Sequence, residues 1–443
     1  MTVMSYLGAI GAAQKEAMVA DDRVVIIGEV VEANVYGTTG GAGKSRAVEG
    51  DFTQQFGRNR IRNTPISEEV IVGAAIGAAM TGLRPIVDLS YSSFLYMAMD
   101  QFVNQAAKNR YMFGGQASIP VVFRSAMFYG LNTGAHHSDR PYPMFMNVPG
   151  LKIMVPASPA DAKGLLRTAV DMDDPVLTFE ACTLWGLKEE VPDEEYKIPF
   201  GVARTVREGS DVTLVAISSA VPEAVKAAEA LADDGISVEV IDPRTLVPLD
   251  IETVIRSVQR TGRLVIADPA HKTCGAAAEI SALVAEEAFE SLRAPIVRAV
   301  TPNTQIPFSP SLEKQLYPNR ASIADAVRRV AGELITAPDD LAGIDDDPAH
   351  QAPREPHDRK GIHMARVEVL LPQWGMGMSE GTLLTWHKTV GDSVAEDEPL
   401  AEVEAEKVEE TLEAPATGTL AEILVPEGET VEVRTVVAVI ETA

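Results

Sequence analysis

The chain has 443 residues and a net charge of −26. At about 150 residues per domain, this length predicts roughly three domains. The charge argues against binding of nucleic acid or of an anionic membrane through the overall field of the protein. The acidic excess is uneven, because residues 365–443 contain 17 acidic and only 4 basic side chains. A small domain with this charge stays soluble and repels its copies, which suits a mobile module.

The sequence carries no sign of export or membrane insertion. No basic segment followed by an apolar run occurs at the N-terminus, so no signal peptide is predicted. The longest apolar stretch, Val70 to Met80, is too short to span a bilayer. Cys182 and Cys274 lack metal-ligand spacing, and we expect both to be buried thiols of a reducing compartment. These features predict a cytoplasmic protein.

Residues 1–195 alternate between helical and strand-like segments. Helices are predicted at 4–20, 70–80, 98–111 and 159–170, and strands at 24–27, 85–89, 120–123, 152–155 and 176–179. This alternation predicts an α/β domain with a parallel sheet covered on both faces. A glycine-rich run from Gly41 to Ser45 resembles the end of a phosphate-binding loop. Thr38 stands where that motif needs glycine, so a surface loop is favoured.

A second α/β domain is predicted for residues 196–336. Its strands are expected at 211–218, 237–242, 263–268 and 295–300, and its helices at 221–233, 254–260 and 275–289. Four strands with helical crossovers predict an independent domain. From residue 337 to 363 the composition changes to Asp, Pro, Ala and His, which predicts a flexible linker spanning about 30 Å on average.

Residues 364–443 are predicted to form a small all-β module of short strands and glycine turns. The segment contains an internal repeat with a 37-residue offset, in which GTL at 381 and GDSV at 391 correspond to GTL at 418 and GETV at 428. Two similar halves predict two sheets related by a pseudo-twofold axis. Lys407 falls in the turn that joins the halves, at the tip of a predicted hairpin. A lysine there suits the attachment of a long acyl-carrying arm.

Polar residues at the start of a helix form the first candidate site. Glu68 and Glu69 follow Ser67 and precede the small-residue helix. A carboxylate buried at this place has a raised pKa and is prepared to share a proton with a heterocycle nitrogen. The alternative is that Ser67 and Glu68 only cap the helix, and the spacing alone favours capping.

The adjacent histidines His136 and His137 form the second candidate site, on a loop after a strand. Adjacent ligands on a loop are uncommon for zinc, and no nearby cysteine or carboxylate pattern completes a metal site. The favoured functional interpretation is that one of the two is a general acid or base. Hydrogen-bonded structural histidines are the alternative.

Several stretches of the chain resemble one enzyme family. They are TPISEEVIVGAAIGAAMTGLRP from Thr64, DQFVNQAAKNRYMFGG from Asp100, VPGLKIMVPASPADAKGLL from Val148 and DPRTLVPLDIETV from Asp242. Through them, residues 1–335 resemble the beta subunit of the first component of thiamine-diphosphate-dependent 2-oxo acid dehydrogenases of the pyruvate or acetoin type. Residues 367–443 resemble a lipoyl domain, through LPQWGMGMSEGTL and EAEK. A biotinyl domain would have methionine on both sides of the lysine.

The resemblance implies a fold and a set of site residues. The fold is a pyrimidine-binding α/β domain with a parallel sheet, a transketolase C-terminal-like α/β domain and a flattened lipoyl barrel. In such a protein Glu68 contacts the aminopyrimidine ring of thiamine diphosphate, and Phe94 packs against that ring. His137 assists acyl transfer to lipoate, which is attached covalently to Lys407.

The chain lacks one motif of thiamine enzymes. No Gly-Asp-Gly run, which with a later Asn holds the diphosphate and its Mg²⁺, occurs in the sequence. The resemblance therefore implies a separate alpha subunit that supplies this half of the site, in an assembly of two alpha and two beta chains. It also implies a potassium ion bound through the main-chain carbonyls of Val121, Ala169, Val170, Met172 and Asp174.

The chain also departs from the family pattern beside the predicted site. His136 replaces a usual glutamine and Asp139-Arg140 follows, so His136 is a candidate for the substrate pocket and an unusual substrate is expected.

The predicted function is that of a beta subunit with its own lipoyl arm, which cleaves a carbon–carbon bond next to a ketone in pyruvate, another 2-oxo acid or acetoin. An acyltransferase core would pass the acyl group from lipoyl-Lys407 to coenzyme A, with dihydrolipoamide dehydrogenase as a further partner. The Pro-Gln-Trp-Gly run favours acetoin. The alternatives are a transketolase- or synthase-like enzyme with a biotinyl-like passenger module, and a non-catalytic scaffold.

Overall fold

The structure is a computed structural model that describes residues 1–29, 31, 52–332, 365–372, 380–405, 408–433 and 435–442. The chain divides into two compact units, Met1–Pro338, called the body, and Asp339–Ala443, called the module. None of the described helices is long and apolar enough to cross a bilayer. The predicted linker and the glycine-rich run at 41–45 lie outside the described residues, and the predicted domain boundaries at 195/196 and 336/337 stay predictions.

The body is built of strands and helices in alternation. Its strands are β1 (Thr2–Ser5), β2 (Val24–Gly28), β3 (Ile61–Asn63), β4 (Arg84–Tyr91), β5 (Val122–Met127), β6 (Lys152–Met154), β7 (Val176–Ala181), β8 (Lys188–Val191), β9 (Arg204–Arg207), β10 (Val212–Ala216), β11 (Val238–Asp242), β12 (Thr245–Val247), β13 (Leu264–His271) and β14 (Val297–Thr301). Its helices are α1 (Tyr6–Ala20), α2 (Phe52–Phe56), α3 (Glu68–Met80), α4 (Asn109–Met112), α5 (Tyr142–Met146), α6 (Pro159–Asp171), α7 (Ala220–Asp233), α8 (Ile251–Thr261), α9 (Ala276–Ala288), α10 (Pro310–Glu313) and α11 (Arg320–Ala331).

The first sheet has the strand order β12-β6-β7-β5-β4-β2-β3. From β6 to β3 all neighbours are parallel. Strands β2, β5 and β7 are buried along their whole length, as expected where helices cover both faces of a sheet. The predicted parallel sheet of the first half is confirmed.

The second sheet has the order β14-β13-β10-β11-β9, in which only β9 is antiparallel to its neighbour. The four predicted strands are present, and the independence of this domain stays a prediction. Strand β12 leaves this half and pairs with β6 of the first sheet. One apolar core also contains residues of both halves, Ile153 and Leu246 among them. A three-residue strand has too little pattern to be predicted.

One local prediction for the body is confirmed in part and another is wrong. The stretch 98–111 is helical as expected but irregular, with a 3₁₀ helix at Ser92–Ala98, a π-helix at Gln101–Ala106 and the short α4. Gly73 allows α3 to approach the π-helical turn closely, since a Cβ atom there would lie 3.1 Å from Oε1 of Gln101. Cys182 is buried as expected, whereas Cys274 is exposed, with a φ of +54° just before α9.

The module consists of two four-stranded antiparallel sheets with the orders β15-β22-β20-β17 and β19-β18-β16-β21. Its strands are β15 (Ala365–Leu370), β16 (Glu380–Trp386), β17 (Ser393–Val394), β18 (Pro399–Ala405), β19 (Val408–Glu413), β20 (Gly418–Ile423), β21 (Thr430–Glu432) and β22 (Val436–Thr442). The repeated GTL runs lie in β16 and β20, which pair with β21 and β17 respectively. The two repeats thus occupy equivalent positions in the two sheets, as predicted.

Candidate active site

The candidate site lies where neighbouring parallel strands of the first sheet end. Strands β4 and β5 are paired, so the segments that follow them meet at one sheet edge. The turn after β4 carries Phe94, and the loop after β5 carries His137. The two rings lie edge to face with their centroids 5.6 Å apart. The structure therefore brings together two of the predicted site residues.

Further aromatic side chains complete a wall beside His137. The ring centroid of Tyr91 lies 4.7 Å from that of the imidazole, and the Tyr91 ring stacks on Phe128 with a centroid distance of 4.0 Å. Phe128 in turn contacts Trp185 edge to face at 5.5 Å. Sequence analysis missed Tyr91, Phe128 and Trp185. All three stand at or just after the ends of adjacent strands β4, β5 and β7, and aromatic residues in this position after apolar runs are the signal that would have found them.

The two histidines of the pair differ in environment. His137 is half-buried, and its Nδ1 atom is buried without a hydrogen-bond partner in the described part of the chain. Its backbone N–H donates to the Gly134 carbonyl at 3.4 Å. His136 is exposed, and no described ring contacts it. The unmet hydrogen-bonding capacity of His137 marks it as the histidine available for chemistry.

Glu68 is the first residue of α3 and is half-buried. Ser67 occupies the N-cap position, but its side chain makes no capping hydrogen bond. The capping interpretation therefore fails for Ser67. Helix α3 packs against the turn that carries Phe94, and that turn contacts the turn Ala135–His137. Helix α3 and the histidine loop thus pack against the same turn.

Carboxylates gather near Glu68. Burial, followed by the negative charges of Glu68 and Asp88, raises the pKa of Glu29. Glu29 directly follows β2, and Asp88 lies in the paired strand β4. Sequence analysis did not assign a role to Glu29 or Asp88. Because nearby negative charges favour the protonated form of a carboxyl group, Glu29 holds its proton more tightly than a free glutamate does.

A buried ion-pair network underlies the aromatic wall. The Arg124 guanidinium donates two hydrogen bonds to Glu180, both at 2.8 Å, and lies 3.7 Å from Asp88. Asp88 Oδ2 and Trp185 Nε1 are buried and have no hydrogen-bond partner among the described residues. They line a cavity with about 10 Å³ of room for water centres, which is the space of one water molecule. The network fixes three strand ends relative to one another.

The predicted potassium ligands do lie close together, at the end of α6 and beside β5. The Val121 carbonyl accepts from Val176, and the Ala169 carbonyl accepts from Met172. The carbonyls of Val170 and Met172 both accept from Nη1 of Arg84, at 2.9 and 3.0 Å. The Asp174 carboxylate pairs with Arg110 at 2.5 Å. A guanidinium thus already serves two of the predicted carbonyls, and the arrangement fits a potassium ion only in part.

The module carries the predicted hairpin. Strands β18 and β19 pair up to Ala405 and Val408. Lys407 itself lies outside the described residues. Elsewhere in the described parts of body and module, no group of three His, Cys, Asp or Glu side chains is arranged to hold a metal ion.

Comparison with known proteins places the chain in a family. Residues 2–182 match the family "Transketolase, pyrimidine binding domain", residues 201–323 match "Transketolase, C-terminal domain" and residues 367–440 match "Biotin-requiring enzyme". The chain is 44% identical over 342 residues to the beta subunit of acetoin:2,6-dichlorophenolindophenol oxidoreductase from Bacillus subtilis, covering 75% of this chain and 98% of the relative. The chain belongs to the family of beta subunits of the first component (E1) of such dehydrogenases, called the E1 beta-subunit family.

Another member of the E1 beta-subunit family shares this extent of similarity. The pyruvate dehydrogenase E1 component subunit beta from Staphylococcus epidermidis is 38% identical over 329 residues, which is 74% of this chain and 98% of the relative. A solved structure, a split-gene transketolase in an inactive beta4 tetramer, matches with a TM-score of 0.59 at 21% identity, over 74% of this chain and 98% of that one. This likeness concerns the fold. The family supports thiamine diphosphate and a lipoyl-type arm as cofactors.

Proposed function

We propose that the chain acts with an alpha subunit to cleave a carbon–carbon bond next to a ketone, and that the acyl product is transferred to lipoate on Lys407. The observation that carries this proposal is the contact between Phe94 and His137, on a turn against which α3, the helix that begins with Glu68, packs. Acetoin is the favoured substrate, because a relative named for acetoin is 44% identical, against 38% for one named for pyruvate.

The residues present fit thiamine diphosphate. Phe94 offers an apolar ring face, Glu68 offers a half-buried carboxylate, and His137 Nδ1 has no hydrogen-bond partner among the described residues. When bound, thiamine diphosphate supplies a nucleophilic carbon that carries an electron pair, and lipoate supplies a disulfide that accepts this pair, so that one sulfur gains the acyl group and the other gains a proton.

The chain's own residues would hold and move protons in this reaction. The Glu68 carboxylate shares a proton with the pyrimidine nitrogen, and the aromatic wall excludes water from its surroundings. His137 delivers the proton that the departing sulfur takes up. Its half-buried position beside Tyr91 and Phe94 keeps it within a site of low dielectric constant, where proton delivery from a fixed donor is effective.

The alpha subunit is proposed to cover the mouth of the site and to hold the diphosphate with Mg²⁺. Three apolar side chains near the site are largely exposed: Ile66 by 80%, Val70 by 65% and Met97 by 68%. Exposed apolar residues that cluster in this way are typical of a subunit interface. We further propose an assembly of two alpha and two beta chains, an acyltransferase core component and dihydrolipoamide dehydrogenase as partners.

A potassium ion at the end of α6 is a weaker part of the proposal, because Arg84 already donates to the carbonyls of Val170 and Met172. Carbonyl oxygens have a second lone pair, which leaves room for a cation. If potassium binds there, the midpoint of thermal unfolding should rise in potassium chloride relative to sodium chloride at equal ionic strength. Equal midpoints would remove potassium from the proposal.

The proposal is tested with the full lipoylated chain and its alpha subunit. Glu68→Gln should lower the reduction of 2,6-dichlorophenolindophenol by about 10²–10³-fold, because the proton shared with the cofactor is lost. Glu69→Gln is the matched control, since Glu69 is an exposed neighbour on the same helix. Unchanged turnover in Glu68→Gln would support the non-catalytic scaffold instead.

Mass spectrometry of the module separates the remaining alternative. A lipoyl increment on Lys407 is expected in protein purified from a lipoylating host. A biotinyl increment at the same residue would favour a transketolase- or synthase-like enzyme with a passenger module.

A further inference from the structure

The histidine loop, defined as residues 128–140 between β5 and α5, is fastened by the second half of the body at both ends. Sequence analysis noted Asp139-Arg140 only as a departure from the family pattern. The second half carries none of the residues assigned above to the reaction, yet it makes polar contacts at both ends of this loop, in addition to the hydrogen bond that Ser92 of the first half donates to the Asp139 carbonyl at 2.9 Å.

At its N-terminal end the loop is held by a carboxylate. Glu313, at the end of α10, is buried and accepts hydrogen bonds from the backbone N–H groups of Gly130 and Asn132, both at 2.7 Å. Gly130 and Asn132 have φ angles of +77° and +59°. The left-handed backbone turns both N–H groups toward one side, where they form an anion-binding concavity that Glu313 fills.

At its C-terminal end the loop is held by a buried guanidinium. Arg140 faces the rings of both Tyr129 and Tyr317, at 5.4 and 5.3 Å from their centroids. Its Nε atom donates to the Pro269 carbonyl at 2.9 Å, and its Nη1 atom donates to the carbonyl of Ser138. Its Nη2 atom lies 3.2 Å from Nε2 of His271.

The tautomer of His271 follows from these contacts. Its Nδ1 atom lies 2.8 Å from the Pro302 carbonyl and must donate, so Nε2 is left to accept from Arg140. Burial is the main cause that lowers the pKa of His271, and the charge of Arg140 lowers it further. The neutral imidazole therefore serves as an acceptor for the loop arginine.

Tyr317 connects the two ends. Its hydroxyl donates to Glu313 Oε1 at 2.9 Å, while its ring faces the Arg140 guanidinium. Glu313, Tyr317, His271 and Arg140 thus form one connected set, called the loop clamp. His137 lies between the two anchored ends, and its imidazole has ring contacts but no hydrogen bond at Nδ1 within the described residues. Its position is therefore set by the backbone that the clamp holds.

We propose that Arg140 is a positioning residue for His137 in acyl transfer to lipoate. The inference rests on the proposed role of His137. Arg140 bonds the carbonyl of Ser138, the residue directly after His137, and joins it to Pro269 and His271 of the second half. Loss of this link lets the imidazole move relative to the sulfur that it protonates. A displacement of about 1 Å in such a group costs about 10²-fold in rate.

The test compares two electron acceptors with the full lipoylated chain and its alpha subunit. The dye 2,6-dichlorophenolindophenol takes electrons directly, whereas acylation of the lipoyl arm needs a placed proton donor. Arg140→Met should keep dye reduction within about twofold and slow lipoyl acylation by about 10–100-fold. Arg140→Lys should recover part of the lipoyl rate, because the charge returns without the forked donors. Equal loss with both acceptors would overturn the proposal, since it would mean general structural damage.

Control variants separate the failure of this inference from the failure of the proposed function. His137→Gln should slow lipoyl acylation at least as much as Arg140→Met; if it does not, the proposed role of His137 fails. If His137→Gln slows acylation and Arg140→Met does not, only the clamp fails. Arg298→Met is the matched control, because Arg298 donates to the Lys272 carbonyl outside the clamp.

A second variant keeps the test open if Arg140→Met does not fold. Tyr317→Phe removes the hydroxyl bonded to Glu313 but keeps the ring that faces Arg140. A several-fold slower lipoyl acylation with unchanged dye reduction is expected. No difference between the two acceptors in a folded Tyr317→Phe protein, with an unchanged midpoint of thermal unfolding, would overturn the clamp.

Discussion

The body and the module differ most clearly in what they bury. The body encloses charged side chains on its strands, among them Asp88, Arg124 and Glu180 beneath the candidate site. In the described part of the module no charged side chain is buried and the core is aliphatic. Its charges form exposed pairs such as Arg366 with Glu422. Buried charges cost desolvation free energy and need ionic or hydrogen-bonding partners that satisfy them fully. We therefore relate the body to chemistry and the module to the presentation of one residue, Lys407.

The largest expected difference concerns that one residue. Lys407→Arg removes the amine proposed to carry lipoate, so acylation of the module should fall to background. Reduction of 2,6-dichlorophenolindophenol by the body with its alpha subunit should not change. Lys388→Arg, which alters another lysine of the module, is the control. A loss of dye reduction in Lys407→Arg would contradict the separation between body and module.

The next largest expected effect is the difference in free energy of unfolding lost when a buried ion pair is broken and when an exposed one is broken. Arg124→Met leaves Glu180 and Asp88 buried without their cation, which should lower the free energy of unfolding of the body by about 3–5 kcal/mol. Arg366→Met in the module removes an exposed pair and should cost less than about 1 kcal/mol. Urea unfolding of the body can be followed by thiol labelling of buried Cys182 in a Cys274→Ser background. Hydrogen exchange in β22 reports the module.

A smaller effect is expected from pH. Burial, followed by the charge of Asp161, raises the pKa of Asp242 to about 7. Between pH 4 and 7 the folded body therefore keeps a proton that the unfolded chain has lost. The free energy of unfolding should fall as pH rises through this range, by up to about 1.4 kcal/mol per pH unit.

Asp242→Asn should remove that slope, while the opposite slope from His271 below about pH 6.5 stays in both proteins. In the module, hydrogen bonds from Thr389 lower the pKa of Asp392, so its contribution is lost as pH falls. Cys182 labelling at several pH values measures the body. An unchanged slope in Asp242→Asn would refute the assignment.

The smallest effect tests the repeat inside the module. Gly391 and Gly428 occupy corresponding turns with φ angles of +100° and +83°, and a Cβ atom would meet no atom within 4 Å at either. Alanine should therefore destabilise the module through backbone strain alone, by about 1 kcal/mol at each position. Hydrogen exchange in β20 and β22 measures the loss. A cost at only one of the two glycines would argue against equivalent halves.

Long apolar runs made most of the fold predictable from the sequence. Parallel strands buried on both faces and glycine-punctuated short strands are local patterns, and both gave the right architecture. Strand β12 and the pair formed by β1 and β8 are three or four residues long, and their partners lie far away in sequence. No local pattern specifies such pairings, because they depend on how the two halves pack.

The site was predictable to a different degree. Phe94 came from the family resemblance, whereas the histidine pair stood out in the sequence and the resemblance selected His137 from it. The structure brings the rings of Phe94 and His137 into contact. The wall residues Tyr91 and Phe128 end apolar strands and left a weak signal. The clamp around Arg140 left none, since His271 is 131 residues away along the chain.

Strand β12 links the two halves of the body, because it comes from the second half and pairs with β6 in the sheet of the first. A protease that cuts the segment between β8 and β9 would leave two fragments, and the second would still hold its strand in the sheet of the first. The nicked protein should therefore migrate as one species under native conditions and separate only in denaturant. For the same reason, an evolutionary exchange of either half for that of another enzyme would have to rebuild the exposed edge at β6.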